Sequence, residues 1–192
     1  LDAAPQLLRL KDESADLVYI QALGPAIGAV LRDAERLGLL GQMHFAGSEF
    51  GMSEATIEMG GIACEGYLAS KIVPWIDETE IPSTTLATDN QMRYPGKVLR
   101  DVEYMTGMLV AVVTSEAIKG AIEDVGYENL DGAAIKEALD NMQDFDVYGL
   151  ASITYKADDH RGHTKLAVYQ IREGTVVRVT DWREAPMFLP GS

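Results

Sequence analysis

The sequence is poor in cysteine, in positive charge and in long apolar runs. A single cysteine, Cys64, stands in 192 residues, so no internal disulfide can form and no disulfide framework marks a compartment. Lys and Arg number 16 against 30 Asp and Glu, a formal net charge of -14. That balance argues against DNA or RNA as a partner, because a phosphate backbone is bound by clustered cations that displace counterions, and it disfavours adsorption to anionic lipid. The most apolar stretch, residues 105–113, is interrupted by Thr106 and Gly107 and is far shorter than the roughly 20 residues of a bilayer span; it reads as a buried helix. No basic segment followed by an apolar one opens the chain, so any secretory signal has been removed or lies upstream. Fixed-period repeats and low-complexity segments are absent. So are Gly-x-Gly-x-x-Gly after a strand, Gly-x-x-x-x-Gly-Lys-Ser/Thr and Gly-x-Ser-x-Gly, which leaves nucleotide and acyl-transfer readings without their usual support.

What is present is a hydrophobic content of 47%, enough for one well-buried core or for parts of two lobes. Pro5 after Asp2 marks a helix start, with Leu7, Leu8 and Leu10 as its apolar face. Asp16-Leu-Val-Tyr-Ile-Gln21 reads as a strand covered on both faces. Gly24-Pro25 opens a helix on which Ile27, Val30, Leu31, Ala34 and Leu37 recur at steps of three and four, with Gly38 at its left-handed cap. Residues 43–46 form the next strand and 47–52 a loop. Ser53 caps a helix running to about Cys64, and 67–73 is a third strand. Alternating helices and strands imply parallel pairing with right-handed crossovers, hence an open α/β sheet. Residues 75–92 show no clear period and read as a crossing segment or surface excursion. A long helix over 100–125 and another over 131–142 follow, and no sequence between them supplies a sheet for them to cover. The predicted consequence is that helices 100–142 pack on strands the chain does not contain or on a partner, or expose apolar area. Strands close the chain at 153–155, 165–172 and 175–180, with Glu173-Gly174 as a two-residue hairpin turn.

In open α/β sheets ligands bind outside the carboxyl ends of the strands, where helix N-termini present free N–H groups. Two loops belong to that edge. Ala22-Leu-Gly-Pro25 offers Leu23 and the helix start at Gly24, suited to a carboxylate; Gly47-Ser-Glu-Phe-Gly51 offers the Ser48 hydroxyl, the Glu49 anion and the apolar wall of Phe50. Together they suit a small zwitterion. Read from position alone, Glu49 is more often a solvated loop acid, and Leu23 and Phe50 are more often core or lobe-packing residues than ligand contacts. In Asp158-Asp-His-Arg-Gly-His163, two histidines three apart could join a metal with a carboxylate, but an exposed turn is the better reading. His44 reads as a structural histidine within a strand, and Cys64 as buried and inert.

Taken in order, several segments resemble the type I periplasmic binding proteins, in the branch of branched-chain amino acid import. They are Gln6-Leu-Leu-Arg-Leu-Lys11 with Ala15-Asp-Leu-Val-Tyr19, Leu31-Arg-Asp-Ala-Glu-Arg-Leu-Gly-Leu39 and Cys64-Glu-Gly-Tyr67. The series continues through Tyr104-Met-Thr-Gly107, Glu116-Ala-Ile118, Ile135-Lys-Glu-Ala-Leu139, Ile153-Thr-Tyr155 with Asp159-His-Arg-Gly162, Val168-Tyr-Gln-Ile171 and Val179-Thr-Asp-Trp182. The order and spacing of the pieces carry the resemblance, which spans nearly the whole chain.

The resemblance implies an α/β fold with a parallel sheet and helices on both faces, incomplete because the N-terminal half is absent. Residues 1–74 would finish the second lobe, 75–150 would be the helical return to the first, and 151–192 the crossing and terminal strands. It implies a periplasmic or extracellular receptor, membrane-associated through its transporter or a lipid anchor. Such a receptor would close on a branched-chain or hydrophobic amino acid, or a related small carboxylate, and deliver it to an ABC permease, with no cofactor, metal or catalysis. Glu49 matches the acid that pairs with the ligand ammonium in such receptors. The position of Leu23 is often aromatic there, and leucine leaves room for a bulkier ligand. Tyr104 and Gly107 resemble a Tyr-x-x-Gly signature of a sub-branch that includes importers of aromatic and other organic acids, which makes those acids the alternative ligand class. A ligand-sensing regulator of the same fold is a second reading, and a fragment of a hydrolase or reductase with its catalytic residues upstream a third.

Overall fold

The computed structural model describes residues 2–94 and 102–186. These divide into two compact units, one formed by residues 2–71, 102 and 165–186, the other by 72–94 and 103–164.

The first unit begins with α1 (Ala4–Asp12), which has Pro5 in its first turn and buries Leu7. Its start is tied down by Asp33, whose Oδ2 accepts the Ala3 amide at 2.9 Å; that hydrogen bond, and then Arg36, hold the Asp33 carboxyl below its usual range. Next come β1 (Leu17–Ile20), α2 (Gly24–Arg36) and β2 (His44–Gly47). Pro25 suits the first turn of α2 because its missing N–H would have no helical partner there. Gly38 beyond the helix has φ +68, the left-handed conformation expected of a C-terminal cap. A short 3-10 turn, Glu49–Gly51, leads to α3 (Glu54–Gly60), capped where Ser53 Oγ accepts the Thr56 amide at 3.2 Å. The helix stops short of Cys64, because Gly61 turns to φ 57, and a 3-10 turn, Gly61–Cys64, leads on to β3 (Leu68–Lys71).

In the second unit, α4 (Pro82–Arg93) occupies most of the stretch read as a crossing segment or surface excursion. Its buried face is carried by Ser83, Thr84 and Ala87, and Thr84 Oγ1 lies 2.6 and 2.7 Å from the carbonyl oxygens of Glu78 and Ile81, to either of which it can donate. A face of small residues, two of them hydroxylated, has no hydrophobic period to read. The long helix is α5 (Val102–Val125); the expected start at Arg100 lies outside the described residues. Asp131 caps α6 (Gly132–Asp140), its Oδ1 accepting the Ala134 amide at 2.9 Å. A two-stranded antiparallel ribbon, β4 (Phe145–Asp146) with β5 (Ser152–Ile153), completes the unit.

The chain returns to the first unit as β6 (Lys165–Arg172), β7 (Thr175–Arg178) and β8 (Arg183–Glu184). The sheet runs β1-β2-β3-β6-β7, with β8 also on β6. It is parallel through β1, β2 and β3, as the alternation of helices and strands implies, and antiparallel from β6 onward. Glu173 and Gly174 both take positive φ, 51 and 72, as a tight hairpin requires. Ala69 faces Tyr169 and Lys71 faces Ala167 across β3 and β6, so the alternation of burial in the two strands gives one continuous inner face. Strand β1 corrects one expectation: Leu17 and Tyr19 are 57% and 58% exposed. It lies at the end of the strand order, and a run of four apolar residues cannot by itself report whether the second face is covered.

On α5 the buried residues Met105, Leu109, Val113, Ala117 and Ala121 form one stripe, while Gly107, Val110, Ala111 and Thr114 are exposed. The helix as a whole is long and apolar enough to cross a membrane by length and composition, and 28% of the apolar window that meets this test is buried. The expectation of a buried helix therefore holds for one stripe, and the opposite face is open.

Helices α2 and α3 approach closely. A Cβ on Gly28 would lie 2.7 Å from Met59 Cβ and from the Thr56 carbonyl oxygen, and one on Gly60 would lie 3.2 Å from Gly28 Cα. Gly28→Ala is expected to destabilise the chain by about 1–3 kcal/mol through overpacking against backbone, read as a lowered midpoint in urea. Gly120→Ala, whose Cβ would meet Ala138 Cβ at an ordinary 3.8 Å, is expected to be neutral or stabilising by up to about 1 kcal/mol.

Candidate functional site

Parallel pairing in the register Ile20↔Gly47 sets the carboxyl ends of β1 and β2 side by side, so the loops that follow them share one edge. Helix α2 starts in the first loop; Leu23 at its N-cap makes no side-chain capping bond and is 66% exposed. Gly24 behind it is buried, and a Cβ there would lie 2.2 Å from Ser53 Oγ. The two loops are therefore in contact through a glycine and a capping serine.

In the second loop Glu49 is only 7% exposed, which removes the solvated-acid alternative. Ser48 Oγ is buried and has no hydrogen-bond partner among the described residues. Phe50 points outward, 42% exposed. The turn is closed by the Gly51 amide donating to the Ser48 carbonyl at 2.9 Å and the Met52 amide to the Glu49 carbonyl at 3.0 Å. Thr56 Oγ1 donates to the Gly51 carbonyl at 2.8 Å, tying the turn to α3. The structure thus brings Leu23, Gly24, Ser48, Glu49 and Phe50 to one edge. Tyr104 and Gly107 belong to the other unit, on α5, where the half-buried Tyr104 hydroxyl lies 3.5 Å from the Ala87 carbonyl.

Two residues of the same edge were not singled out from the sequence. Lys71 closes β3, is 0% exposed, and holds its Nζ 5.9 Å from the centroid of the Tyr169 ring. Charged side chains are rarely buried so completely, and a lysine inside the largely apolar run 67–73 was the signal. Tyr67 precedes β3 and is 1% exposed; burial pushes its hydroxyl well above the usual tyrosine range, with Tyr19 and Cys64 adding to the shift.

The remaining candidates sort differently. Cys64 is buried, its Sγ 3.3 Å from the Thr56 carbonyl, and burial raises its thiol to about 11, so it stays protonated and inert. His44 is exposed on β2 rather than a satisfied interior histidine, because its alternate position faces away from the buried Phe45. In the 158–163 segment Arg161 grips Asp159 through two nitrogens at 2.8 and 2.7 Å, which holds that carboxyl well below its usual range. His163 Nδ1 lies 3.3 Å from the Ser152 carbonyl. Among the described residues no group of three or more His, Cys, Asp and Glu side chains is placed to hold a metal ion.

A sequence profile of the family described as periplasmic binding protein matches residues 1–175. No curated protein is detectably similar in sequence to this chain. Among solved structures, the chain is similar to a branched-chain amino acid ABC transporter from Thermus thermophilus with bound valine. The identity is 24% and the TM-score 0.86, over 96% of this chain and 50% of that one. A leucine binding protein from Thermotoga maritima aligns at 20% identity and a TM-score of 0.73, over 93% of this chain and 48% of that one. A fatty acid ABC transporter substrate-binding protein from Thermomonospora curvata aligns at 18% identity and a TM-score of 0.82, over 96% and 47%. At such identities the likeness shows the fold, and the chain spans about half the length of the structures it matches.

Two buried weak acids just before β3 set a pH dependence. Cys64 and Tyr67 both have folded-state values raised above their ordinary ones, so their contribution to stability is complete below about pH 9. The thiol contribution is lost as pH rises through about 11. Urea midpoints are expected to fall between pH 9 and 11, and less steeply in Cys64→Ser. Alkylation of Cys64 at pH 8 is expected to be slow in the native chain and to accelerate strongly in urea.

Proposed function

The chain belongs to the periplasmic binding protein family, and on that premise we propose that it is the C-terminal half of an extracytoplasmic receptor of an ABC importer. The receptor takes a branched-chain or hydrophobic amino acid or a related small carboxylate, carries out no chemistry, and hands its ligand to a membrane permease. The observation that carries this reading is Glu49, an acid 7% exposed at the shared carboxyl edge of two parallel strands. There it serves as the counter-ion of a ligand ammonium. Ser48 and the start of α2 at Gly24 serve the carboxylate, using a hydroxyl and the positive end of the helix dipole. Leu23 and Phe50, both exposed, supply apolar contact. The α5 candidates, Tyr104 and Gly107, enter the proposal only through the family resemblance.

On this reading residues 1–74 finish the second lobe, 75–150 return to the first, and 151–192 form the crossing and terminal strands. The absent N-terminal half supplies the rest of the first lobe and covers the open face of α5 at Gly107, Val110, Ala111 and Thr114. Ligand closure follows from differential affinity: only contacts stronger in the closed state than in the open one shift the equilibrium. The fatty-acid receptor among the similar folds, together with the exposed Leu23 and Phe50, favours an amine-free organic acid as the second reading.

Titration calorimetry of the complete receptor with leucine, valine and a set of aliphatic and aromatic acids tests the proposal. Binding of an amino acid, weakened about 10- to 100-fold by Glu49→Gln as expected for loss of a charged hydrogen-bonding partner, is the expected outcome. Binding of the acids with no effect of Glu49→Gln favours the second reading, and binding of neither set overturns both.

A further inference from the structure

Tyr67 places a hydroxyl beneath the turn that carries Ser48 and Glu49. A Cβ on Gly47 would lie 2.1 Å from Tyr67 Oη and one on Gly51 would lie 2.6 Å from it, so the oxygen sits against both glycines that bracket the turn. Neither position tolerates a side chain without displacing the ring. Tyr67 is 1% exposed, and its Oη is buried without a hydrogen-bond partner among the described residues. Phenylalanine would fill the same volume without burying a polar atom. Buried hydroxyls are paired in nearly every folded protein, directly or through ordered water, so an orphaned one calls for a reason.

The turn beside this hydroxyl is tied at one end only by a side chain. Its far end is tied by Thr56 Oγ1 to the Gly51 carbonyl at 2.8 Å. At its near end Ser48 Oγ is likewise buried without a partner among the described residues. Two buried hydroxyls thus serve one short segment, one on the turn and one supporting it from beneath.

We propose that Tyr67 is a positioning residue of the ligand site, its hydroxyl anchoring the near end of the turn through one ordered water, so that Glu49 is held in ammonium-binding geometry. This rests on the receptor reading above. The residue acts through Glu49 and so governs selectivity for ligands that carry an amine, while the apolar contacts of the same ligand are left unchanged.

The test is a double-mutant cycle in the complete receptor, with leucine and its amine-free analogue 4-methylpentanoate as probes and calorimetry as the readout. Tyr67→Phe is expected to weaken leucine about tenfold, as the loss of one buried hydrogen bond does, and to leave 4-methylpentanoate within about twofold. In a Glu49→Gln background the same substitution is expected to add little, since residues in one network are not additive. Gly51→Ala, which crowds the same oxygen, is a second variant expected to lose leucine selectively. A Tyr67→Phe receptor that binds leucine as well as wild type, that loses both probes equally, or whose effect adds in full to Glu49→Gln overturns the inference. A wild-type receptor that binds neither probe overturns the receptor reading itself, and this inference with it.

Discussion

Helix α2 can lie against helix α3 only because positions 24, 28 and 60 carry no side chain, and the candidate site depends on that contact. A Cβ on Gly24 would lie 2.2 Å from Ser53 Oγ and one on Gly28 2.7 Å from the Thr56 carbonyl oxygen. Each helix begins in one of the two loops at the carboxyl edge of the sheet. Bringing the helices together therefore fixes the loops relative to each other more tightly than the strand register alone. Close packing transmits such constraints because interiors have little free volume to absorb a shift. Thr56 sits where the constraints meet: its amide takes the Ser53 cap, its hydroxyl donates to the Gly51 carbonyl, and its carbonyl lies 3.3 Å from Cys64 Sγ.

The edge so formed concentrates polar and charged groups that are withdrawn from water. Glu49, Lys71, Ser53 and Thr56 are all buried, and burying charge is tolerated only where the surroundings answer it. Lys71 lies over the Tyr169 ring, an interaction that gains strength on desolvation. Preorganised polar groups of this kind lower the cost of binding, since less side-chain freedom is lost when a ligand arrives. The acidic surface, with its net charge of -14, keeps the protein dispersed and says nothing about the ligand.

The second unit shows the opposite economy. Helix α5 buries one stripe from Met105 to Ala121 and leaves Gly107, Val110, Ala111 and Thr114 open. A 24-residue helix of this composition is stabilised by tertiary cover rather than by propensity.

Much of this architecture was legible in local sequence because the interactions that set it are local. The steps of Ile27, Leu31 and Ala34, Pro25 at the start of α2, Ser53 before α3, Asp131 before α6 and Glu173-Gly174 between β6 and β7 each report a preference satisfied within a few residues. The loops at the carboxyl edge followed from the alternation of strands and helices. What only the tertiary structure decided depends on partners distant in the chain or on small residues without a hydrophobic period. Helix α4 was invisible because its buried face is Ser83, Thr84 and Ala87. The antiparallel joining of β6 to β3 pairs Leu68 with Gln170, residues whose sequences say nothing of each other. The burial of Glu49, Lys71 and Tyr67 belongs to the same class: residue type fixes what a carboxylate, an ammonium or a phenol can do, and only the packing around it decides whether water is there to compete.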